Sequence, residues 1–350
     1  MDSFVESLQA RIGTAGGSGK CLSIVGGNSK HFYGGVPQGE RLDMGAHQGI
    51  VSYEPTELVV TARTGTPLAD LEQTLAESRQ MLPFEPPAFG AGATIGGTIA
   101  CGFSGPARPY RGAARDFILG VNCVSGRGEY LRFGGQVMKN VAGYDVSRLM
   151  VGAMGTLGVL TEVSLKVLPS PVIERTLVFD CNGNGALVKM NDLGGRPLPV
   201  TGTAWHDGKL RVRLSGSEKA VESAALSLGG DLDIAGASFW QALKEHRLEF
   251  FAGTEPLWRL SIAPPAEMPD LAGESLVEWS GALFWVRGDD PQALSALARE
   301  RGGNLTRFRG AERSVSFQPL GDTEAALNRG LKRAFDPAGI LNRDRMFAGS

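Results

Sequence analysis

The sequence is poor in histidine and cysteine, the side chains that most often bind metals or act as nucleophiles in catalysis. It has four of each among 350 residues, and Cys21, Cys101, Cys123 and Cys181 lie far apart with no C-x-x-C pair. This spacing argues against an iron–sulfur cluster or a zinc ribbon built from this chain alone, and we expect no metal site. Reduced, partly buried thiols in a cytosolic protein are the expected state.

Long apolar runs and a strong excess of one charge are missing as well. No run approaches the roughly 18 residues that a transmembrane helix needs, and the N-terminal segment has early acidic residues and lacks the apolar core of a signal peptide. The formal net charge of -2 argues against a nucleic acid or an anionic membrane surface as the main partner. We therefore expect a cytoplasmic protein, and its length allows two domains at roughly 150 residues each.

Glycine, by contrast, is abundant, and its densest stretch is Gly90–Gly105. Such a stretch buries little apolar area, but its backbone can approach a large ligand closely and its N–H groups can point at that ligand. The spacing does not match the G-x-G-x-x-G fingerprint, because Gly96 comes one residue too late, and Pro86 and Pro87 precede the stretch in place of a strand. A flexible surface loop is the alternative interpretation.

Two further glycine clusters lie next to predicted strands. The apolar segment Cys21–Val25 runs into two glycines and three polar residues, and such a turn can direct several N–H groups at phosphate oxygens. A glycine turn in a hairpin fits the same pattern. The cluster Gly155–Gly158 precedes the segment Thr161–Leu168, in which apolar and polar residues alternate as in a strand. Three clusters of this kind indicate one elongated ligand lying across several loops.

The second half of the chain has the composition of an ordinary α+β domain. Its beginning is marked by Pro169-Ser170-Pro171. Strand and helix patterns alternate from there on, which predicts a ferredoxin-like antiparallel sheet with helices on one side.

Three blocks of the sequence resemble the FAD-binding domain of the vanillyl-alcohol-oxidase/PCMH-type flavoproteins. These blocks are Ser23–Gly35, Gly92–Gly120 and Lys139–Pro169. Within that family, the stretches VMKNVAGYDVSRLM and FDPAGILN resemble the FAD-binding E subunits of bacterial glycolate oxidase. The resemblance is strong over the first half of the chain and moderate in the C-terminal tail, and its long blocks are far more specific than a lone glycine motif.

The resemblance implies an α+β fold with a two-subdomain PCMH-type FAD-binding domain over residues 1–171. A reduced ferredoxin-like α/β cap domain would follow over residues 172–330, and the tail 331–350 would return to the FAD domain. It also implies FAD as the cofactor, with the diphosphate on the first glycine cluster, the flavin and ribityl chain on the second, and the adenine side on the third. Some relatives attach FAD covalently through His or Cys near these loops, but His31 lies a few places late for that and Cys101 is more simply a small packing residue, so we expect non-covalent FAD. The implied contact residues are Val25, Gly26, Gly27, Asn28, Ser29, Lys30, His31, Gly92, Ala93, Thr94, Gly96, Gly97, Ser104, Tyr144, Gly155, Gly158 and Val159.

The same resemblance implies a FAD-dependent 2-hydroxy-acid oxidoreductase that acts as one subunit of a glycolate oxidase complex. The complex would oxidise glycolate to glyoxylate by hydride transfer to flavin. The implied partners are a flavoprotein catalytic subunit and an iron–sulfur subunit, and any membrane association would come through the complex. Two alternatives stay open: a non-catalytic assembly subunit with structural or no FAD, and a stand-alone FAD-dependent 2-hydroxy-acid dehydrogenase.

The sequence departs from these relatives where catalytic residues would lie. Relatives carry a histidine-rich H-x-G-D-G-N-type stretch, which Trp205-His206-Asp207-Gly208 matches only in part and which also fits a hairpin turn. His206 is therefore a weak candidate, and we expect the main catalytic base on a partner subunit. The tail reads Asn342-Arg343-Asp344-Arg345 where relatives commonly have Asn-Pro-Gly-Lys, so we expect cofactor contacts there to stop at Asn342.

Overall fold

The computed structural model describes residues 2–135, 144–288, 290–311, 313 and 316–347, and of Tyr144 only the backbone. The helices in this part of the chain are α1 (Ser3–Ser18), α2 (Leu68–Glu77), α3 (Ile95–Cys101), α4 (Arg108–Arg111), α5 (Ala114–Phe117), α6 (Tyr144–Met150), α7 (Gly183–Gly194), α8 (Glu218–Leu228), α9 (Gly236–Lys244), α10 (Pro291–Glu300) and α11 (Asp322–Phe335). None of them combines the length and apolarity needed to cross a membrane.

The strands of the same residues form four sheets. They are β1 (Leu22–Val25), β2 (Glu40–Asp43), β3 (Ile50–Glu54), β4 (Val59–Arg63), β5 (Gln80–Met81), β6 (Ile118–Val124), β7 (Tyr130–Gly134), β8 (Val159–Lys166), β9 (Leu168–Pro169), β10 (Ile173–Asp180), β11 (Val200–His206), β12 (Lys209–Gly216), β13 (Asp231–Leu232), β14 (Leu257–Ser261), β15 (Glu274–Glu278), β16 (Leu283–Arg287) and β17 (Asn304–Arg309).

The chain divides into two compact units. The first unit contains the residues up to Phe103, then Ala113–Pro169, and the residues from Pro319 onward. The second unit contains Ser104–Gly112 and Ser170–Gln318. The short segment Ser104–Gly112 therefore belongs to the second unit, and no feature of the sequence predicts a break at its ends.

The core of the first unit lies on a five-stranded antiparallel sheet in the order β3-β4-β8-β6-β7. Helix α2 places Leu68, Leu71 and Leu75 at helical spacing, and all three are buried on this sheet together with Ile95 and Ile99 of α3. Because these buried residues hold α3 on the sheet, the core fixes where the glycine-rich stretch that contains α3 lies.

A second layer of the first unit joins the N-terminal and C-terminal parts of the chain. Strands β1 and β2 are parallel, and Leu22 of β1 also pairs in parallel with Leu341. Leu8 and Ile12 of α1 pack against this layer. The C-terminal segment (Asp336–Arg345) thereby extends the small sheet whose strand β1 leads into the first glycine cluster.

The second unit is built on an eight-stranded sheet in the order β13-β10-β12-β11-β15-β16-β14-β17, with antiparallel neighbours throughout. Side chains from one face pack with helices α7, α8 and α10, as Leu187, Val221 and Leu294 show. A turn with left-handed backbone at Asp207 (φ 47°) and Gly208 (φ 73°) joins β11 to β12. The stretch Trp205-His206-Asp207-Gly208 therefore contains the hairpin turn that its sequence also fits.

Helix α9 covers the opposite face of the same sheet. In strand β10, Leu177 belongs to the core beneath α7, α8 and α10. Its neighbour Thr176 accepts a hydrogen bond from Trp240 Nε1 of α9 at 2.9 Å. Since successive side chains of a strand point to opposite faces, the expectation of helices on one side only is wrong.

The buried side chain of His47, in the first unit, should make the free energy of unfolding depend on pH. The ring is buried and stacks on Phe4, with centroids 4.6 Å apart. Burial lowers the pKa of His47 and outweighs the nearby Asp2 carboxylate, which acts to raise it. A histidine in the unfolded chain titrates near 6.5, so the unfolded state takes up more protons below that pH. The free energy of unfolding should therefore fall as the pH drops from 7.5 to 5.5, by at most about 1.4 kcal/mol per pH unit for this group.

Urea denaturation at pH 7.5, 6.5 and 5.5 measures this effect, with His47→Gln as the comparison. The variant should show a smaller loss between pH 6.5 and 5.5 than the natural chain. Equal losses in both proteins would contradict the assignment to His47.

Candidate functional site

A large cavity of the first unit, called here the glycine-loop cavity, lies where the three glycine clusters meet. It has about 840 Å³ of empty space, part of it open to solvent, within the roughly 300–1,000 Å³ typical of small-molecule sites. Most of its lining residues come from the first loop, α3, the third cluster and the C-terminal segment, and a few come from other loops and from β1 and β8. They are Ile24, Val25, Gly26, Gly27, Asn28, Ser29, Lys30, His31, Pro37, Met44, Thr64, Thr94, Gly96, Gly97, Ala100, Cys101, Met154, Gly155, Gly158, Leu160, Asn342 and Arg345.

The first loop (Val25–His31) presents backbone donors. Among the described residues, no acceptor is found for the N–H groups of Gly26, Gly27, Asn28 and Ser29. Asn28 adopts a left-handed conformation with φ 60°, and a change of hand between successive residues makes a concave run of N–H groups that suits an anion. The predicted phosphate-binding turn therefore has the donors that its function requires.

The second loop (Gly90–Gly97) uses its glycines for close packing. A Cβ added to Gly96 would lie 2.6 Å from Thr64 Cβ, and one added to Gly26 would lie 2.5 Å from Thr94 Oγ1. The N–H groups are already used: Gly96 N–H donates to Thr64 O (2.8 Å) and Gly97 N–H to Thr94 Oγ1 (3.2 Å). The expectation of free N–H groups in this loop is therefore wrong at these two residues. Gly96 and Gly97 let a ligand approach the backbone closely, but their N–H groups are not available to donate to it.

The C-terminal segment forms a further wall of the cavity. Asn342 accepts a hydrogen bond from the N–H of Ile24 at 2.7 Å and donates one to Met154 O at 2.6 Å, so it joins strand β1 to the third cluster. Gly155 has φ 74°, and a Cβ there would lie 2.7 Å from Asn342 Nδ2. Arg345 also lines the cavity, beyond the tail residue at which cofactor contacts were expected to stop.

The lining of the cavity is positively charged. Lys30 and Arg345 are 5% and 8% exposed, and no Asp or Glu occurs among the described residues of the lining. Burial raises the pKa of the Cys101 thiol, while the charges of Lys30 and Arg345 act to lower it. Both cations therefore act on the same region, at the C-terminal end of α3. Such a lining favours a ligand with negative charge.

Most residues implied by the family resemblance line this one cavity. They are Val25, Gly26, Gly27, Asn28, Ser29, Lys30, His31, Thr94, Gly96, Gly97, Gly155 and Gly158.

The remaining implied residues lie elsewhere. Gly92 faces the first loop with its carbonyl oxygen, and Ala93 is buried behind it. Val159 is buried in the layer under α1. Ser104 belongs to the second unit, and the side chain of Tyr144 lies outside the described residues.

Sequence reasoning missed several apolar and polar lining residues. Met44, Thr64 and Leu160 come from segments that look like ordinary loop or strand, and Cys101 was interpreted as a packing residue. Of the lining residues that were missed, only Arg345 could have been found from the sequence, because it occupies the position of the lysine in the tail motif of relatives.

His206, the weak catalytic candidate, lies in a different cavity, which belongs to the second unit. Its Nε2 is 3.4 Å from Glu274 Oε1, and its Nδ1 is 3.2 Å from Ser275 O. The ring also contacts Phe250 edge-on. The described residues contain no group of three or more His, Cys, Asp or Glu side chains placed to hold a metal ion.

Comparison with known proteins now gives the family. The chain is 44% identical over 346 residues to glycolate oxidase subunit GlcE of Escherichia coli (strain K12), and the match covers 99% of this chain and 98% of that protein. The chain belongs to the GlcE family of glycolate oxidase subunits. Residues 4–134 match the FAD binding domain family. Glycolate oxidase subunit GlcD of Bacillus subtilis (strain 168) is 33% identical over 129 residues, 37% of this chain and 27% of that protein.

The fold of this GlcE-family chain is also found among solved structures. The chain superimposes on p-cresol methylhydroxylase with a TM-score of 0.72, at 16% identity, over 97% of this chain and 87% of that chain. Together these matches confirm the predicted family, the α+β PCMH-type fold and FAD as the cofactor. Non-covalent attachment stays a prediction.

The glycine-loop cavity fits FAD. Its cationic lining matches the negative charge of a diphosphate, and the free N–H groups of Gly26–Ser29 are the donors that such a group accepts from. Added Cβ atoms would close the space between the first and second loops, because Gly27 has no room for a side chain beside Gly92. In this GlcE-family chain the glycines therefore keep both the loop packing and the access to the backbone.

Proposed function

We propose that this chain is the FAD-binding subunit of a glycolate oxidase complex, which oxidises glycolate, a 2-hydroxy acid, to glyoxylate. The relative that matches nearly the whole chain is named a glycolate oxidase subunit. The observation that carries the proposal is the meeting of the three predicted glycine clusters at one cationic cavity. FAD, when bound, supplies the chemistry of the oxidation by accepting a hydride.

The residues of this chain bind and orient the cofactor. The first loop donates backbone N–H groups to the diphosphate, α3 and the third cluster hold the elongated molecule by close packing, and Lys30 and Arg345 neutralise its charge. His31 is the sole histidine among the described lining residues, and His206 lies in another cavity. This distribution supports a catalytic base on a partner subunit.

The proposed partners are a GlcD-type flavoprotein subunit and an iron–sulfur subunit, with a small 2-hydroxy acid as the substrate. The wide separation of the four cysteines supports an iron–sulfur cluster on another chain. We propose a cytoplasmic location, with contact to the membrane only through the complex.

Flavin content and reduction by glycolate test this function together. The purified chain should be yellow with about one FAD per chain, and glycolate should bleach that flavin only when the partner subunits are added. A colourless chain that does not bind added FAD would overturn the proposed role and favour the assembly subunit. Bleaching by glycolate without partners would instead favour the stand-alone dehydrogenase.

A further inference from the structure

The guanidinium of Arg345 is bound to the end of the first loop. Its Nη1 donates to the carbonyl oxygens of Gly35 (2.7 Å) and His31 (3.3 Å), and its Nη2 donates to Lys30 O (3.1 Å). The backbone N–H of Gly35 in turn donates to Arg345 O at 2.9 Å. One side chain thus holds three carbonyls of a turn that is more than 300 residues away along the chain.

These contacts lie directly after the part of the loop that has free donors. The N–H groups of residues 26–29 have no acceptor among the described residues, whereas the carbonyls of residues 30, 31 and 35 are held by Arg345. Fixing the carbonyls restricts the rotation of the peptide groups that follow the donors. Hydrogen bonds from a charged donor are roughly twice as strong as neutral ones, so Arg345 is well suited to hold this turn.

Arg345 is also part of the cavity itself. It is 8% exposed and lines the glycine-loop cavity beside Lys30. Its neighbour Arg343 is exposed, does not line the cavity and makes no ion pair among the described residues. The two arginines of this short segment therefore have different surroundings, and of the two only Arg345 contacts the first loop.

We infer that Arg345 is a cofactor-positioning residue of this chain. It holds the first loop in the conformation whose free N–H groups receive the diphosphate of FAD, and with Lys30 it adds positive charge to the site. The inference rests on the proposed binding of FAD in this cavity. It assigns a role to the C-terminal segment, which lies far outside the residues matched by the FAD-binding family.

Lysine is the informative replacement at this position. An ammonium keeps the charge, but it is a point donor and cannot reproduce the planar fork that spans three carbonyls. A role in positioning therefore predicts that Arg345→Lys is impaired, whereas a role of charge alone predicts that it behaves like the natural chain.

FAD titration of the full-length chain, stripped of flavin, tests the inference, with flavin fluorescence as the signal. Arg345→Gln should bind FAD about 10- to 100-fold more weakly and Arg345→Lys about 10-fold more weakly, as expected for the loss of hydrogen bonds from a charged group. The matched control Arg343→Gln should stay within about twofold of the natural chain. In the absence of FAD, hydrogen exchange at His31, Tyr33 and Gly35, whose N–H groups are hydrogen-bonded in this turn, should be faster in both Arg345 variants than in the control.

The possible outcomes separate this inference from the proposed function. If the natural chain itself binds no FAD, the proposed function fails. If the natural chain binds FAD and Arg345→Lys binds it equally well, or hydrogen exchange at His31, Tyr33 and Gly35 is unchanged, the positioning role is overturned. Should Arg345→Gln fail to fold, Arg345→Lys decides alone.

Discussion

Replacement of Gly27 by alanine should produce a chain that is purified without flavin. A Cβ at Gly27 would overlap the carbonyl oxygen of Gly92, which is main-chain and has no rotamer into which it can turn away. The first and second loops would have to separate, and the N–H groups of the first loop would move with them. Overpacking of this kind costs about 1–3 kcal/mol, which corresponds to roughly 10- to 100-fold in FAD affinity. Flavin absorbance per chain and an FAD titration measure the loss.

Gly13→Ala is the matched control for this substitution. Gly13 lies in the middle of α1 on the exposed side, and a Cβ added there meets nothing within 4 Å. Alanine inside a helix is more favourable than glycine by roughly 0.5–1 kcal/mol, so this variant should keep its FAD and gain stability. Full flavin content in Gly27→Ala would show that the two loops can part without affecting the cofactor.

The largest loss of stability should follow from Asp336→Ala. Asp336 is 1% exposed, and its carboxylate lies 3.0 Å from Lys332 Nζ. It also accepts the N–H groups of Ile340 (3.2 Å) and Leu341 (2.8 Å). Removing it leaves a buried ammonium and two N–H groups without the carboxylate, which costs about 3–5 kcal/mol for a buried pair. Chemical denaturation should show a lower free energy of unfolding and an early release of FAD, because Leu341 precedes the cavity-lining Asn342.

An exposed ion pair of the same spacing serves as the control. Asp192 and Arg196 are also four residues apart, at 3.3 Å, with side chains 61% and 39% exposed. Asp192→Asn should therefore change the free energy of unfolding by less than about 0.5 kcal/mol. The double variant Asp336→Ala/Lys332→Met should recover part of the loss, since it removes the unpaired ammonium. If Asp336→Ala and Asp192→Asn lowered the free energy of unfolding equally, the stabilising effect of the Asp336–Lys332 pair could not be attributed to its burial.

The first loop and the third cluster could be predicted from the sequence because their signals are local. Two adjacent glycines directly after a short apolar segment identify the first loop, and Gly155 and Gly158 precede an alternating strand. In each case a few neighbouring residues carry the whole pattern, and the structure brings these patterns to one cavity. The family resemblance added the identity of the ligand, which spacing alone cannot give.

The contribution of the tail could not be predicted in the same way. Relatives commonly have a proline and a glycine at positions 343 and 344, and the absence of both from this chain predicts cofactor contacts only as far as Asn342. The structure makes the turn with Asn342 (φ 44°) and Asp344 (φ 63°) in left-handed conformations, which these two residue types tolerate better than most. Arg345 thereby reaches the cavity although the motif has changed.

The excursion of Ser104–Gly112 into the second unit had no local signal either. Trp279 Nε1 donates to Gly105 O at 3.1 Å, and the hydroxyl of Tyr110 lies 2.6 Å from Ser280 Oγ. These partners lie about 170 residues further along the chain. Propensity and periodicity describe only neighbouring residues, so nothing in the local sequence separates Ser104 from the cofactor-binding stretch in which the family resemblance places it.

The hydrogen bond between Ile24 and Asn342 spans 318 residues, and it bears on the order of events in folding. Contacts between distant parts of a chain require the closure of a long loop, and proteins rich in them fold slowly. The walls of the cavity come from stretches near both ends and in the middle of the chain, so no single locally folded segment contains all of the lining residues. Because the cavity is complete only after the N-terminal and C-terminal segments have met, we expect FAD to bind late in folding.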